Sequence, residues 1–203
     1  MWAFGYRKDE AVQLWNKIPL DADIVVTHTP SKYHCDESRE REAAGCESLR
    51  ETLWRVRPRI AICGHVHEGR GVERVRWDLE SPNCLFKEFS TETWDDPGRD
   101  NNKFSLVDLT NKLGQPIRND GATGNYNTSQ SNRAEKNSNL GAGLGSPSLS
   151  SRSDLEALSG RMSRLETCFV NAAIMRSSWS HGARGKVFNK PIVVDIDLPV
   201  WQE

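Results

Sequence analysis

The sequence predicts an α/β fold with a parallel sheet, and two observations indicate it. Between residues 9 and 77, segments with apolar side chains at helical intervals alternate with short, β-branched runs. Such alternation is typical of parallel strands joined by helices. Two further strand-like runs follow a stretch that is rich in Asn, Ser and Gly. We therefore expect one α/β domain built from residues 1–110 and 154–203, with residues 111–153 inserted between its two parts.

Helices are predicted before and after this insertion. The segment DEAVQLWNKI has apolar side chains at roughly helical spacing and stops at Pro19, whose ring cannot continue a helix. The segment GCESLRETLWRVRP ends at Pro58 for the same reason. Its apolar face, which should be buried, comprises Cys46, Leu49, Leu53 and Val56. A later helix, DLEALSGRMSRLE, is predicted from the spacing of Leu155, Leu158, Met162 and Leu165.

Five segments are predicted to form strands. DIVVTH and RIAIC are short apolar runs bounded by turn residues, as in buried parallel strands. VERVRWDL follows a glycine-rich turn and places Val72, Val75 and Trp77 among charged residues. CFVNAAIM and KPIVVDIDLPVW close the chain. Because Trp15, Trp54 and Trp77 fall on apolar faces, we expect them in the core and not on a stacking surface for nucleic acid.

Composition and charge argue against several classes of protein. The 203 residues carry a formal net charge of −1, so neither nucleic acid nor a membrane surface is expected as a partner. No apolar run approaches the roughly 18–20 residues that span a bilayer. Charged residues from Lys8 to Glu10 interrupt the region that a secretory signal needs. Five cysteines without regular spacing argue against a disulfide framework. We expect a soluble, cytoplasmic protein.

Residues 111–153 differ in composition from the rest of the chain. They are rich in Asn, Ser and Gly and nearly free of large apolar side chains. Such a segment buries too little apolar surface to offset the entropy that it loses on ordering. We predict a disordered insertion here.

Three histidines follow two of the predicted strands. His28 follows DIVVT, while His65 and His67 follow RIAICG. In a strand, the last two would point to the same side, because side chains repeat every two residues. Ligands of open α/β sheets gather beyond the carboxyl ends of the strands, and histidine is the commonest metal ligand. The sequence therefore predicts a metal site in one crevice, and solvated loop histidines are the alternative.

These motifs also resemble a known family. VVTHTPSKYHCD, followed by GCESLRETLWRVRPRIAICGHVHEGRG, is similar to the C-terminal half of calcineurin-like metallophosphoesterases. The small metallophosphoesterase-domain proteins of fungi and animals resemble it most. The likeness rests on Thr-His-x-Pro and Gly-His-x-His in this order, covers about residues 2–79 and returns in FVNAAI and NKPIVVDIDLPVW. It implies half of an α/β/β/α sandwich, in which two facing sheets are flanked by helices.

The resemblance implies hydrolysis of a small phosphoester, above all a phosphodiester, by two divalent ions (Mn, Fe, Zn or Mg) roughly 3.5–4 Å apart. By motif, His28 and His65 would bind one ion and His67 the other. The family's Asp-x-His, Gly-Asp and Gly-Asn-His motifs are absent from this sequence. We therefore expect Met1 to be an internal position of the domain, at most one weakly bound ion, and an inactive chain. A non-catalytic remnant and a mononuclear zinc-binding or interaction protein are the alternatives.

Other polar residues near these motifs each have two interpretations. By family likeness, His34 would help to bind substrate from a loop at the rim of the pocket, or else it forms a loop hydrogen bond. Arg70 follows the histidines at the predicted crevice, where its guanidinium would bind a phosphate oxygen, or else it is a solvated surface group. Glu68 lies close enough in sequence to accept a hydrogen bond from a metal-bound histidine. Asn171 interrupts an apolar strand, and we expect it to be a core amide with its hydrogen bonds satisfied.

Overall fold

The computed structural model describes residues 5–38, 40, 42–79, 81, 84–97, 102–119, 164–176 and 187–198. Within these ranges the chain forms helices and strands in a mixed α/β fold, as the sequence predicts. In order they are α1 (Ala11–Trp15), β1 (Ile24–Val26), α2 (Glu47–Val56), β2 (Ile60–Cys63), β3 (Gly71–Trp77), β4 (Glu88–Thr93), β5 (Ser105–Leu109), β6 (Glu166–Asn171) and β7 (Ile192–Ile196). Neither described helix has the length and apolar character that crossing a bilayer requires.

Five strands form the larger sheet, in the order β1-β2-β6-β3-β4. β1, β2 and β6 are parallel, with Val26 opposite Ile62 and Ile62 opposite Val170. β3 runs antiparallel to its neighbours β6 and β4. Because parallel strands end at the same edge of a sheet, the turns that follow β1, β2 and β6 lie side by side.

α2 covers one face of the larger sheet. Its buried side chains include Leu49, Leu53 and Trp54, which belong to the same apolar cluster as Val25 and Phe169 of the sheet. Burial of each such side chain typically stabilises a fold by about 1.5–3 kcal/mol. The apolar side chains whose spacing predicted α2 are therefore the ones that hold it against the sheet.

α1 is shorter than predicted. The helix covers Ala11–Trp15, whereas the sequence pattern continues to Ile18. The amide of Ile18 donates to the carbonyl of Trp15, three residues earlier. This is the tighter step of a 3₁₀ turn, which often closes a helix before a proline such as Pro19.

β5 and β7 pair in parallel as a second, two-stranded sheet. A second apolar cluster lies between the sheets and joins Ile60, Val72 and Val170 of the larger sheet to Val107 and Leu109 of β5. The described elements are thus layered as helix, sheet and sheet. The metallophosphoesterase sandwich implied by the sequence stays a prediction, because most of its remaining helix, residues 154–163, lies outside the described residues.

β3 contributes to both apolar clusters. Val72 faces the second sheet, while Val75 and Trp77 face α2. Residues at odd separations in a strand point to opposite faces, so the uneven spacing of these three side chains serves two cores. Trp77, which the sequence predicts in the core, is buried, and so are Val72 and Val75.

The predicted insertion lies mostly outside the described residues. Of residues 111–153, only 111–119 are described, and they form turns. Within them Ile117 is buried in the cluster between the sheets, and Asn119 is buried against β6. Packed structure therefore continues through residue 119, and the compositional prediction for 120–153 stays a prediction.

Candidate functional site

β1 and β2 end side by side and bring His28 next to His65. The pairing of the two strands continues past their ends, because the amide of Thr27 donates to the carbonyl of Ile62 at 2.9 Å. The amide of Gly64 then donates to the carbonyl of His28 at 3.2 Å. These two hydrogen bonds place the histidine side chains at the same edge of the sheet.

The two imidazoles are in direct contact. Nε2 of His28 and Nδ1 of His65 are 3.0 Å apart, and the rings lie at 72° with centroids 4.8 Å apart. One nitrogen must carry the proton and the other must accept it, so the pair can share a hydrogen bond only while at least one ring is neutral.

His65 reaches this position through its backbone. β2 ends at Cys63, and His65 has a φ of 68°, in the left-handed region that side chains other than glycine rarely adopt. The expectation that His65 and His67 follow strand alternation is therefore wrong, because neither residue lies in a strand. Backbone strain of this kind costs of order 1–3 kcal/mol and occurs often at functional sites.

Electrostatics favours a neutral His65. Partial burial, followed by the positive charges of His28 and His67, lowers its pKa. His67 is therefore near enough for its charge to act on His65. Metal binding requires neutral imidazole nitrogen, so a lowered pKa keeps His65 ready to act as a ligand near neutral pH.

The histidine pair fits two ligands of one metal ion. Two imidazole nitrogens, each about 2.0–2.1 Å from one ion, lie roughly 3–3.4 Å apart in common coordination geometries. The separation of 3.0 Å between His28 and His65 falls at the short end of this range. Nδ1 of His67 is buried and has no hydrogen-bond partner among the described residues.

The described part of the chain does not complete a metal site. Among these residues no group of three or more His, Cys, Asp and Glu side chains is arranged to hold an ion. The residues therefore fit part of one site and do not fit a two-ion centre. The predicted ligand roles of His28, His65 and His67 stay predictions.

Asn171 joins the loops on either side of the histidine pair. It is fully buried, and its Nδ2 donates to the carbonyls of Cys35 at 2.8 Å and Val66 at 2.7 Å. Its Oδ1 accepts from the amide of Ala173 at 3.0 Å. The predicted core amide is confirmed. The sequence did not predict the contact of Asn171 with the backbone between His65 and His67. Only the pairing of β6 with β2 brings these two segments together.

His34 lies in the core, not at a rim. Its side chain is 2% exposed, stacks on Phe169 with centroids 4.2 Å apart, and meets the edge of Trp77. Its nitrogens lie 3.5 Å from Glu73 and 3.3 Å from Glu88. A ligand has no access to this ring in the structure, and its proposed contact with substrate stays a prediction.

Glu68 and Arg70 follow the third histidine, His67, in the sequence. Nη2 of Arg70 donates to the carbonyl of Lys190 at 2.7 Å, so the guanidinium lies against the segment that leads into β7. Burial lowers the pKa of Arg70, while Asp96 acts in the opposite direction. Glu68 is exposed. Their roles in binding phosphate and in supporting a histidine stay predictions.

The thiols near the pair are unsuited to nucleophilic chemistry. Cys63 is buried at the end of β2, and burial raises its pKa to about 12. Burial also raises the pKa of Cys35 strongly. Because the thiolate is the reactive form, both groups are inert at neutral pH.

Curated proteins match a part of this chain. A stretch of 72 residues is 40% identical to a UPF0046 protein of Caenorhabditis elegans, covering 34% of this chain and 18% of that one. A stretch of 74 residues is 38% identical to Metallophosphoesterase domain-containing protein 1 of Homo sapiens, covering 35% of this chain and 23% of that one. These names support a relation to metallophosphoesterases.

A third relative carries a different name. A stretch of 79 residues is 42% identical to "Probable rhamnogalacturonate lyase C" of Emericella nidulans, covering 38% of this chain and 7% of that one. The chain thus spans less than a quarter of each of these three relatives. No family model and no solved structure matches it significantly.

Proposed function

We propose that this chain supplies the His28–His65 pair to the metal site of a metal-dependent phosphoester hydrolase that acts on phosphodiesters. The observation that carries the proposal is the contact of 3.0 Å between two imidazole nitrogens at the ends of parallel strands. The names of the relatives support the reaction class. The lyase name does not enter the proposal, because the shared stretch is 7% of that protein.

A divalent ion in such a site would polarise a phosphoryl oxygen and lower the pKa of water. The chain's own contribution is to present Nε2 of His28 and Nδ1 of His65, both unprotonated, at a fixed separation. The hydrogen bond that the pair now shares must open, and its proton must leave or move to the opposite ring nitrogen. The lowered pKa of His65 favours that change.

The proposal includes that the chain alone is inactive. Two imidazoles bring no negative charge, and two neighbouring dications without a bridging carboxylate would repel each other. Imidazole suits Zn²⁺ better than the hard ions Mg²⁺ and Mn²⁺. We expect weak binding of one Zn²⁺ and negligible hydrolysis.

Zinc binding tests the site directly. Competition with a chromophoric chelator should show one weak Zn²⁺ site in the purified chain, which His28→Ala and His65→Ala each abolish. His34→Gln, which removes a histidine outside the pair, should leave Zn²⁺ binding in place under conditions where the variant is folded, and it serves as the control. Equal binding by the chain and both alanine variants would refute the proposed site.

Activity tests the reaction class. With Mn²⁺ present, the chain should hydrolyse an aryl phosphodiester no faster than its His65→Ala variant. A form extended at its N-terminus by in-frame coding sequence should show metal-dependent turnover. In that form, His65→Ala should reduce the turnover rate at least about tenfold. Zinc binding without turnover in the extended form would favour the non-catalytic or mononuclear alternative. Robust turnover by the short chain would show that other residues build the site.

A further inference from the structure

We propose that Asn171 is a positioning residue that sets the separation of His28 and His65. It lies at the end of β6, where its side-chain amide ties together the backbone of the two loops that carry these histidines. The effect of Asn171 on metal binding rests on the proposed function. Its effect on the separation of the His28 and His65 rings does not, because that separation can be examined without a metal.

The amide reaches both loops at once. Val66, whose carbonyl accepts one hydrogen bond from Nδ2, directly follows His65. Cys35, whose carbonyl accepts the other, lies in the loop that begins after β1 at His28. A single planar NH₂ group can donate to two carbonyls only within a narrow range of their separations, so it restrains the distance between the loops.

A close backbone contact supports the same junction. A Cβ at position 69 would lie 2.4 Å from the carbonyl oxygen of Cys35. The two backbone segments can therefore approach this closely only because Gly69 has no Cβ. The loop after β2 therefore packs directly on the loop after β1. Between this contact and the hydrogen bond from Gly64 to His28, the histidine pair is held from both sides.

Loss of the amide leaves the junction unsatisfied. Replacing Asn171 by alanine would leave two buried carbonyls without donors, and such groups seek new partners by moving. Val66 is adjacent to His65, whose φ of 68° already depends on its surroundings. We expect the backbone of His65 to relax, which would turn the His65 ring away from His28.

Asn119 provides a matched control. It is also buried, with Nδ2 donating to the carbonyls of Arg57 and Glu166 and Oδ1 accepting from the amide of Glu166 at 2.8 Å. It thus has the same side chain, the same burial and the same number of backbone hydrogen bonds. It contacts the opposite end of β6, at Glu166, five residues along the strand from Asn171.

The experiment compares Asn171→Ala with Asn119→Ala. Urea unfolding should show that both substitutions reduce stability to a similar degree. Ring ¹⁵N spectra at constant pH should show altered signals of His28 and His65 only in Asn171→Ala. In the same variant, competition with a chelator should show Zn²⁺ affinity reduced by about tenfold. Should Asn171→Ala not fold, Asn171→Ser undergoes the same measurements.

Each result decides a separate point. Unchanged ring signals in Asn171→Ala, or equal changes in Asn119→Ala, would overturn the positioning role. If the unsubstituted chain binds no Zn²⁺, the proposed metal site fails. The ring spectra still decide the role of Asn171 in that case, because they need no metal.

Discussion

At the scale of single residues, His34 combines burial with charge. Burial lowers its pKa, but Glu73 on β3 and Glu88 on β4 outweigh this effect and raise it. Its ring nitrogens lie 3.5 Å from a carboxylate oxygen of Glu73 and 3.3 Å from one of Glu88, so both carboxylates favour the protonated ring. His34 and Arg50 in turn hold the pKa of Glu88 at about 2, against the effect of its burial.

This arrangement predicts a loss of stability as pH rises. A group whose pKa is raised on folding stabilises fully below its unfolded value, near 6.5, and ceases to do so as pH passes its folded value. The free energy of unfolding should therefore fall as pH rises above 6.5, and the fall should end once pH passes the raised pKa of His34 in the folded protein. His34→Gln should be less stable at pH 6.5 and lack this fall, as urea unfolding at several pH values would show.

The control for this experiment is His28→Gln, the same substitution in an exposed histidine. It should retain the fall above pH 6.5, because the pKa of its neighbour His65 is lowered and lies below that range. A flat profile for the unsubstituted chain above pH 6.5 would mean that folding does not raise the pKa of His34.

Sequence reasoning located His28 and His65 but misplaced His34. The first two follow recognisable strands, and strand ends are positions that a local pattern can indicate. The burial of His34 depends on Glu73 and Glu88, which reach it from strands about 40 and 55 residues further along the chain. No local pattern carries that information, because the residues next to His34 in the sequence would be the same whether its imidazole lay beside carboxylates or in water.

At the scale of elements, one glycine of the loop after β2 allows that loop to pack against the loop after β1. Of the two glycines that precede and follow the histidines, Gly69 meets the backbone of Cys35, whereas a Cβ at Gly64 would meet nothing within 4 Å. The two positions therefore separate the need for space from the general effect of replacing glycine.

We predict opposite outcomes for alanine at these two glycines. Gly69→Ala should reduce the free energy of unfolding by about 1–3 kcal/mol, because a backbone segment must move to admit the methyl group. Gly64→Ala should change it by less than about 0.5 kcal/mol. Urea unfolding measures both. A similar loss at Gly64 would show that the turn itself, and not its contact with Cys35, requires glycine.

A buried ion pair connects β3, β6 and the segment that follows β5. Nε of Arg74 donates to Glu166 at 3.1 Å, and the same carboxylate accepts from the amide of Arg118 at 3.0 Å. The Glu166 side chain is only 7% exposed, so its charge depends on these donors. Arg74 also donates to the carbonyls of Gln115 and Pro116.

Removing the arginine should destabilise the fold strongly. Arg74→Met would leave the buried Glu166 carboxylate with only the exposed guanidinium of Arg118, 4.0 Å away, and loss of a buried partner of this kind typically costs about 3–5 kcal/mol. Arg76, two residues along the same strand, lies over the exposed ring of Phe89 and makes a matched control. Arg76→Met should cost less than about 1 kcal/mol. Equal losses by thermal or urea unfolding would contradict this assignment.

The predictability of the elements follows from their patterns. α2, β1, β2, β3 and β7 have apolar spacing or apolar runs, and each forms where the sequence indicates. β6 covers Glu166–Asn171, so it begins at a residue that was predicted in a helix and ends before the last four residues of the predicted strand CFVNAAIM. β4, with the sequence EFSTET, is largely exposed, so its apolar content gives no signal. The position of β6 between β2 and β3 was also beyond local reasoning, because it joins segments about 100 residues apart.

At the scale of the whole molecule, the two sheets cover each other only in part. Ile24 and Val26 pair with Ile60 and Ile62, and so extend the face that packs on the second sheet. Yet Ile24 is 44% and Val26 is 70% exposed. In the part of the chain that the structure describes, β1 is also an edge strand of the larger sheet. The apolar inner face therefore continues beyond the cover that β5 and β7 provide.

This uncovered edge predicts self-association of the purified chain. An apolar face beside unpaired strand groups favours contact with other chains, and natural proteins commonly place lysine at such edges to prevent it. Sedimentation velocity should show association that increases with concentration, and Val26→Lys should reduce it without a change in the unfolding midpoint. Leu113→Lys replaces a side chain that is 92% exposed but lies outside this face, so it should leave association as it was. If Leu113→Lys reduces association as much as Val26→Lys does, added charge and not the edge of β1 is the cause.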